Sequence, residues 1–105
     1  MMQKNKILIV EDELLVATDL KESLENIGYN VLDIVTDGCN AISKAKDELP
    51  DIVLMDSMLN GTIDGIDAAK EITRFLDVTV LFLTAYCDDE IKERVAEMNN
   101  FYVSP

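Results

Sequence analysis

Short apolar runs alternate along the chain with stretches whose apolar residues recur at helical spacing, and that rhythm leaves few folds open. Ile7–Val10 is a continuous apolar run, the pattern of a strand buried on both faces. Ala17, Leu20, Leu24 and Ile27 then fall on one helical stripe, and Gly28 stands where such a helix would stop. Val31–Val35 predicts a second strand, with Asp33 suited to a sheet edge because a charge there discourages pairing with other chains. Ile42, Ala45 and Leu49 predict a second helix closed by Pro50. Ile52–Met55 predicts a third strand, followed by a loop holding Gly61 and Gly65. Ile66, Ala69, Ile72 and Leu76 mark a third helix, Val78–Leu83 a fourth strand, and Ile91, Val95 and Met98 a fourth helix. Phe101–Val103 starts a fifth strand.

Strands that alternate with helices imply a parallel sheet covered on both faces, because right-handed crossovers place helices on each side. Five strands in this rhythm favour a flavodoxin-like doubly wound sheet of order 2-1-3-4-5. That order sets strands 1 and 3 side by side at a switch point, so whatever ends those strands lines the crevice where such sheets bind ligands. The 105 residues suit one domain spanning residues 1–105, without repeats or linkers.

Composition narrows the function. A hydrophobic content of 49% supports a real core, so disorder across the body of the chain is not expected. The net charge of −12 repels phosphate backbones, which argues against direct nucleic-acid binding, and it favours basic partner surfaces. Cys39 and Cys87 lack metal-ligand spacing and the chain has no histidine, which argues against a zinc site. The run after the basic N-terminus ends at Glu11, too soon for a signal peptide or a membrane span. A cytoplasmic location is expected.

Strand 1 runs into Glu11 and Asp12, and strand 3 runs into Asp56. In the proposed order these three carboxylates converge, an arrangement that is costly unless a cation fills the gap or some groups are protonated. Mg2+ (or Mn2+) suits such a site, taking carboxylates, waters and one backbone carbonyl, for which Met58 is the candidate donor. The plainer reading is that acidic residues after strands are helix caps and solvated turns. Two features weigh against it: the carboxylate on the neighbouring strand, and Thr84 at the end of strand 4, whose hydroxyl can face an oxyanion bound at Asp56. A carboxylate in this setting can act as a nucleophile toward an activated phosphoryl group.

Ile7-Leu-Ile-Val-Glu-Asp-Glu13, Asp51-Ile-Val-Leu-Met-Asp56, the loop through Asp64-Gly65 and Leu83-Thr-Ala-Tyr86 together resemble the receiver domains of two-component response regulators. The resemblance covers about residues 5 to 103. It implies that Glu11 and Asp12 bind Mg2+, that Asp56 is the phosphoacceptor, and that the Met58 carbonyl completes the protein ligands. Thr84 then corresponds to the switch hydroxyl and Phe101 to the switch aromatic, with Tyr102 as competitor for that role. The phosphodonor implied is a phosphohistidine on a sensor histidine kinase or phosphotransfer protein, and the output runs through a downstream protein partner. Such a module is not an enzyme beyond Mg2+-dependent self-phosphorylation and its own dephosphorylation.

Two departures stand out. The family carries a lysine before the proline that follows strand 5, whereas Ser104 precedes Pro105 here. Losing one preorganised donor costs roughly 3 kcal/mol of transition-state stabilisation. A pseudo-receiver, an interaction module that is not productively phosphorylated, is therefore the alternative. The family fold also closes with a fifth helix, and this sequence stops at Pro105, as a fragment or a natural truncation would. Without that helix an apolar patch is expected on one sheet face and helix 4, favouring self-association through the helix 4 and strand 5 side or lower stability. A flavodoxin relative would need a phosphate cradle where Glu-Asp-Glu stands. A dehalogenase-type phosphatase would need an aspartate where Met58 stands.

Overall fold

The computed structural model describes residues 5–56, 59 and 61–83 in full, and residues 101–104 as backbone. Its elements follow the expected rhythm: β1 (Lys6–Val10), α1 (Leu14–Asn26), β2 (Asn30–Val35), α2 (Gly38–Glu48), β3 (Ile52–Asp56), α3 (Gly65–Phe75), β4 (Thr79–Leu83) and β5 (Phe101–Ser104). The strands form one parallel sheet in the order β2-β1-β3-β4-β5. The expected fourth helix (Ile91, Val95, Met98) lies outside the described residues.

Side chains alternate across the sheet and so feed two cores. Leu8, Val10, Val53, Met55, Val80 and Phe82 pack with Ala41, Ala45, Ile66, Ala69 and Ile72, which places α2 and α3 on one face. Ala41 and Ala45, one turn apart, let α2 sit close to the strands. Ile7, Ile9, Val31 and Leu54 face the other way, against Ala17, Leu20 and Leu24 of α1. The two faces differ in cover. Val53, Val80 and Phe82 are fully buried, whereas Ile52, Leu81 and Leu83 on the α1 face are only half-buried.

Three apolar residues assigned to helices from their spacing lie beyond them: Leu76, the extended C-cap of α3, and two others whose turns show why. Ile27 is the C-cap of α1 and 72% exposed, and the chain turns at Gly28 with φ of 100°. There the Tyr29 N–H donates to the Leu24 carbonyl and the Gly28 N–H to the Glu25 carbonyl, a Schellman closure that glycine alone enters without strain. Leu49 is the C-cap of α2, 53% exposed and left-handed at φ of 51°. Pro50 excludes the right-handed helical region at Leu49, so the chain leaves the helix there although spacing alone would continue it.

Strand β2 is an edge, as Asp33 suggested. The β1–β2 register slips between Ile7 and Leu8, so Leu8 pairs with Asp33 and Leu32 is passed over. Lys44 of α2 reaches Asp33 at 2.9 Å, and its hydrogen bond holds that carboxyl below the usual range. A bulge and a charge pair thus blunt the edge against further pairing.

Candidate functional site

The site is assembled by register. Val10 pairs with Met55, so Glu11 and Asp12, which follow Val10 directly, emerge beside Asp56, the last residue of β3. Asp56 in turn pairs with Leu83, and Leu83 with Ser104. One oxygen from each of Glu11, Asp12 and Asp56 lies within 4.8 Å of the other two. The three carboxylates expected to converge do converge.

Glu11 is 7% exposed. Its N–H donates to the Val35 carbonyl at 3.0 Å, which ties the residue to the end of β2. One carboxyl oxygen accepts from the Glu13 N–H at 3.1 Å. Burial pushes the Glu11 carboxyl up to about 7, and the neighbouring Asp56 and Asp12 charges push the same way. Its side chain also hydrogen-bonds Asp56, which needs a proton on one of the two carboxyls. Without a cation, the crowding is relieved by a shared proton.

The donor set fits a hard divalent cation. Mg2+ holds oxygen ligands at about 2.0–2.1 Å, which sets neighbouring ligands roughly 3–4 Å apart, so three oxygens within 4.8 Å need only a small closure. Sulfur and imidazole ligands are absent from this cluster, and nothing in it favours a softer metal.

Of the three described helices that start at this edge of the sheet, α2 and α3 are capped by an aspartate followed by glycine. Asp37 accepts from the Asn40 N–H at 2.8 Å, and Asp64 from the Asp67 N–H at 3.0 Å. The repeated Asp-Gly pair was a readable cap signal for both helix starts. Leu59, nearly fully buried in the larger core, and Ile63, packed against it, had no such signal. Met58 and Thr84 lie outside the described residues. Phe101 pairs with Val80 and Tyr102 with Leu81, so both stand in β5 below the row of Asp56.

Residues 7–103 match the model of the response regulator receiver domain. The chain belongs to that family. The transcriptional regulatory protein PdtaR of Mycobacterium tuberculosis is 37% identical over 92 residues, covering 88% of this chain and 44% of PdtaR. The probable transcriptional regulator ycf27 of Porphyridium aerugineum is 35% identical, covering 99% of this chain and 43% of the regulator. The receiver chain thus spans less than half the length of these relatives. Among solved structures, the signal receiver domain of a modulated diguanylate cyclase from Desulfovibrio desulfuricans superposes with a TM-score of 0.87 at 35% identity, covering 95% of this chain and 81% of that one. A CheX–CheY complex with BeF3 and Mg2+ from Borrelia burgdorferi gives a TM-score of 0.82 at 27% identity, covering 95% and 78%. The receiver fold and two-component signalling follow from the family. No helix among the described residues is long and apolar enough to cross a membrane.

Proposed function

We propose that this receiver domain accepts a phosphoryl group on Asp56 from a phosphohistidine of a sensor kinase or phosphotransfer protein. The convergence of Glu11, Asp12 and Asp56 at the end of β1 and β3 carries the reading. An Asp56 carboxylate oxygen attacks phosphorus and the phosphorus–nitrogen bond breaks, its electron pair returning to nitrogen, so that an imidazole already protonated on its other ring nitrogen leaves neutral. Glu11, Asp12 and Asp56 would hold Mg2+, with the Met58 carbonyl, and the ion when bound supplies charge neutralisation for the transferred phosphoryl oxygens. Glu11 is the residue whose burial matters most here: its backbone is anchored to Val35, its carboxyl accepts from Glu13, and a bound cation would favour its carboxylate over the protonated form that burial favours.

The bound phosphoryl group would draw in the Thr84 hydroxyl, and the β4–β5 side, with Phe101, would change its surface for a downstream protein partner. The excess of acidic residues supports a partner with a basic surface, and the absence of a membrane-spanning helix among the described residues is in keeping with a cytoplasmic site of action. Half-buried Ile52, Leu81 and Leu83 supply apolar surface on which self-association could draw.

One observation favours a pseudo-receiver as the second reading. Ser104 stands in the same register row as Asp56, one strand beyond Leu83, where the family places a cationic lysine. Intact mass after incubation with a small acyl-phosphate donor separates the two. A Mg2+-dependent phosphoryl adduct that the Asp56→Asn variant lacks is the expected result. A folded wild-type protein that gains no adduct establishes the pseudo-receiver instead.

A further inference from the structure

The first residue of α2, Gly38, is buried against the connection that runs from Asp56 to α3. A Cβ at this position would stand 2.7 Å from Cγ1 of Ile63, 3.1 Å from its Cδ1 and 3.1 Å from its carbonyl oxygen. Real Cβ atoms do not approach carbon that closely. Ile63 cannot swing aside cheaply, because its branched Cβ leaves χ1 stiff and its carbonyl belongs to the backbone. Beside this contact the Cys39 thiol meets the Thr62 hydroxyl at 3.8 Å, so residues 62 and 63 both lie along the first turn of α2. On the side nearer Asp56, Leu59 is held in the larger core, and Ile63 packs against that same core.

Gly38 has no conformational reason to be glycine: it opens a helix and no positive φ is required of it. Helix propensity alone favours alanine there. The space it leaves is what remains to explain it. We propose that Gly38 is a positioning residue, leaving room for Ile63 to wedge the β3–α3 connection against α2 and so fixing the Mg2+ ligands at and just after Asp56. Among the described residues, Leu59 and Ile63 tie this connection into the larger core, and Met58 directly precedes Leu59 in sequence. Displacing Ile63 pulls on the chain that carries both Asp56 and the proposed carbonyl donor. This inference rests on the Mg2+ reading above and deepens it.

The test is a double-mutant cycle read by Mg2+ affinity, titrating Mg2+ alone into the full chain and following backbone amide NMR shifts, with thermal unfolding as a fold control. Gly38→Ala is expected to weaken Mg2+ binding by about tenfold, in the range seen when outer supports of metal ligands are removed. Ile63→Ala, which removes the wedge, is expected to weaken it similarly. The double variant is expected to bind little worse than Ile63→Ala alone, because the 2.7 Å contact with Cγ1 is then gone and only the backbone carbonyl at 3.1 Å remains for the added methyl to meet. Equal losses from Gly38→Ala in both backgrounds, or no loss in the wild-type background, overturn the proposal. If Gly38→Ala fails to fold, the folded Ile63→Ala protein decides: undiminished Mg2+ affinity overturns the wedge, and a tenfold loss sustains it. A wild-type protein that binds no Mg2+ removes the metal reading and this inference together, whereas the other outcomes leave the metal reading standing.

Discussion

Replacing Glu11 by glutamine is expected to stabilise the metal-free protein at neutral pH while changing little near pH 4.5. The Glu11 carboxyl titrates near 4.5 in an unfolded chain and near 7 in the folded one, chiefly because burial disfavours its charge. The unfolded chain therefore releases this proton first, and rising pH draws the equilibrium toward unfolding. The stability is fully present below about pH 4.5 and is lost as pH rises to about 7. At about 1.4 kcal/mol for each pH unit between those two values, the loss approaches 3 kcal/mol. That is a large share of the 5–15 kcal/mol that holds a typical domain together. Glutamine keeps an oxygen to accept the Glu13 N–H and carries no charge to desolvate. Urea unfolding in a chelator at about pH 4.5 and about pH 7.5 measures the difference, wild type against Glu11→Gln. The two proteins should be within about 1 kcal/mol at the lower pH, with the variant ahead by about 3 kcal/mol at the higher one. Millimolar Mg2+ should then restore the wild type and do little for the variant. A gap that stays constant with pH would refute the reasoning, since it would mean that glutamine acts through packing alone.

Three further outcomes follow from the fold. Leu49→Gly should raise stability by up to about 1 kcal/mol, because Leu49 is left-handed and mostly exposed; a lower thermal midpoint would count against this. Phe82→Ala should cost about 3–5 kcal/mol in denaturant unfolding, well above Leu83→Ala, since Phe82 is fully buried and Leu83 only half-buried; equal costs would mean the two faces are equally covered. Asp33→Asn should cost under about 1 kcal/mol at neutral pH, as expected for a solvent-exposed ion pair with Lys44. Its contribution is present above the ordinary aspartate range and fades as pH falls through the lowered native value, so an acid titration of both proteins should converge.

The alternation of apolar runs and helical stripes was enough to place every described strand and helix, because the central strands β1 and β3 are buried on both faces and each helix packs one face on the sheet. Those patterns, with the sheet order they imply, also brought Glu11, Asp12 and Asp56 together before any coordinates, since strand ends in a doubly wound sheet share one edge. Helix ends were legible to within a residue: Gly28 and Pro50 marked the stops in sequence, while the apolar stripe carried Ile27 and Leu49 one position past the helices that end at Asn26 and Glu48.

What only the tertiary structure decided is of another kind. Asp33 lies opposite Leu8 because a bulge passes over Leu32, and no pattern of residue types marks where a register slips. Glu11 is charged in sequence, yet burial between the strands, and then the Asp56 carboxylate from the neighbouring strand, raise its carboxyl to about 7 although the Glu13 N–H pulls the other way. Gly38 reads as an ordinary helix start until Ile63, 25 residues away, is seen to occupy the place of its missing side chain. Local periodicity reports which face of an element is buried. Proton affinities and close approaches depend on which distant residues meet there, and that is set only when the chain has folded.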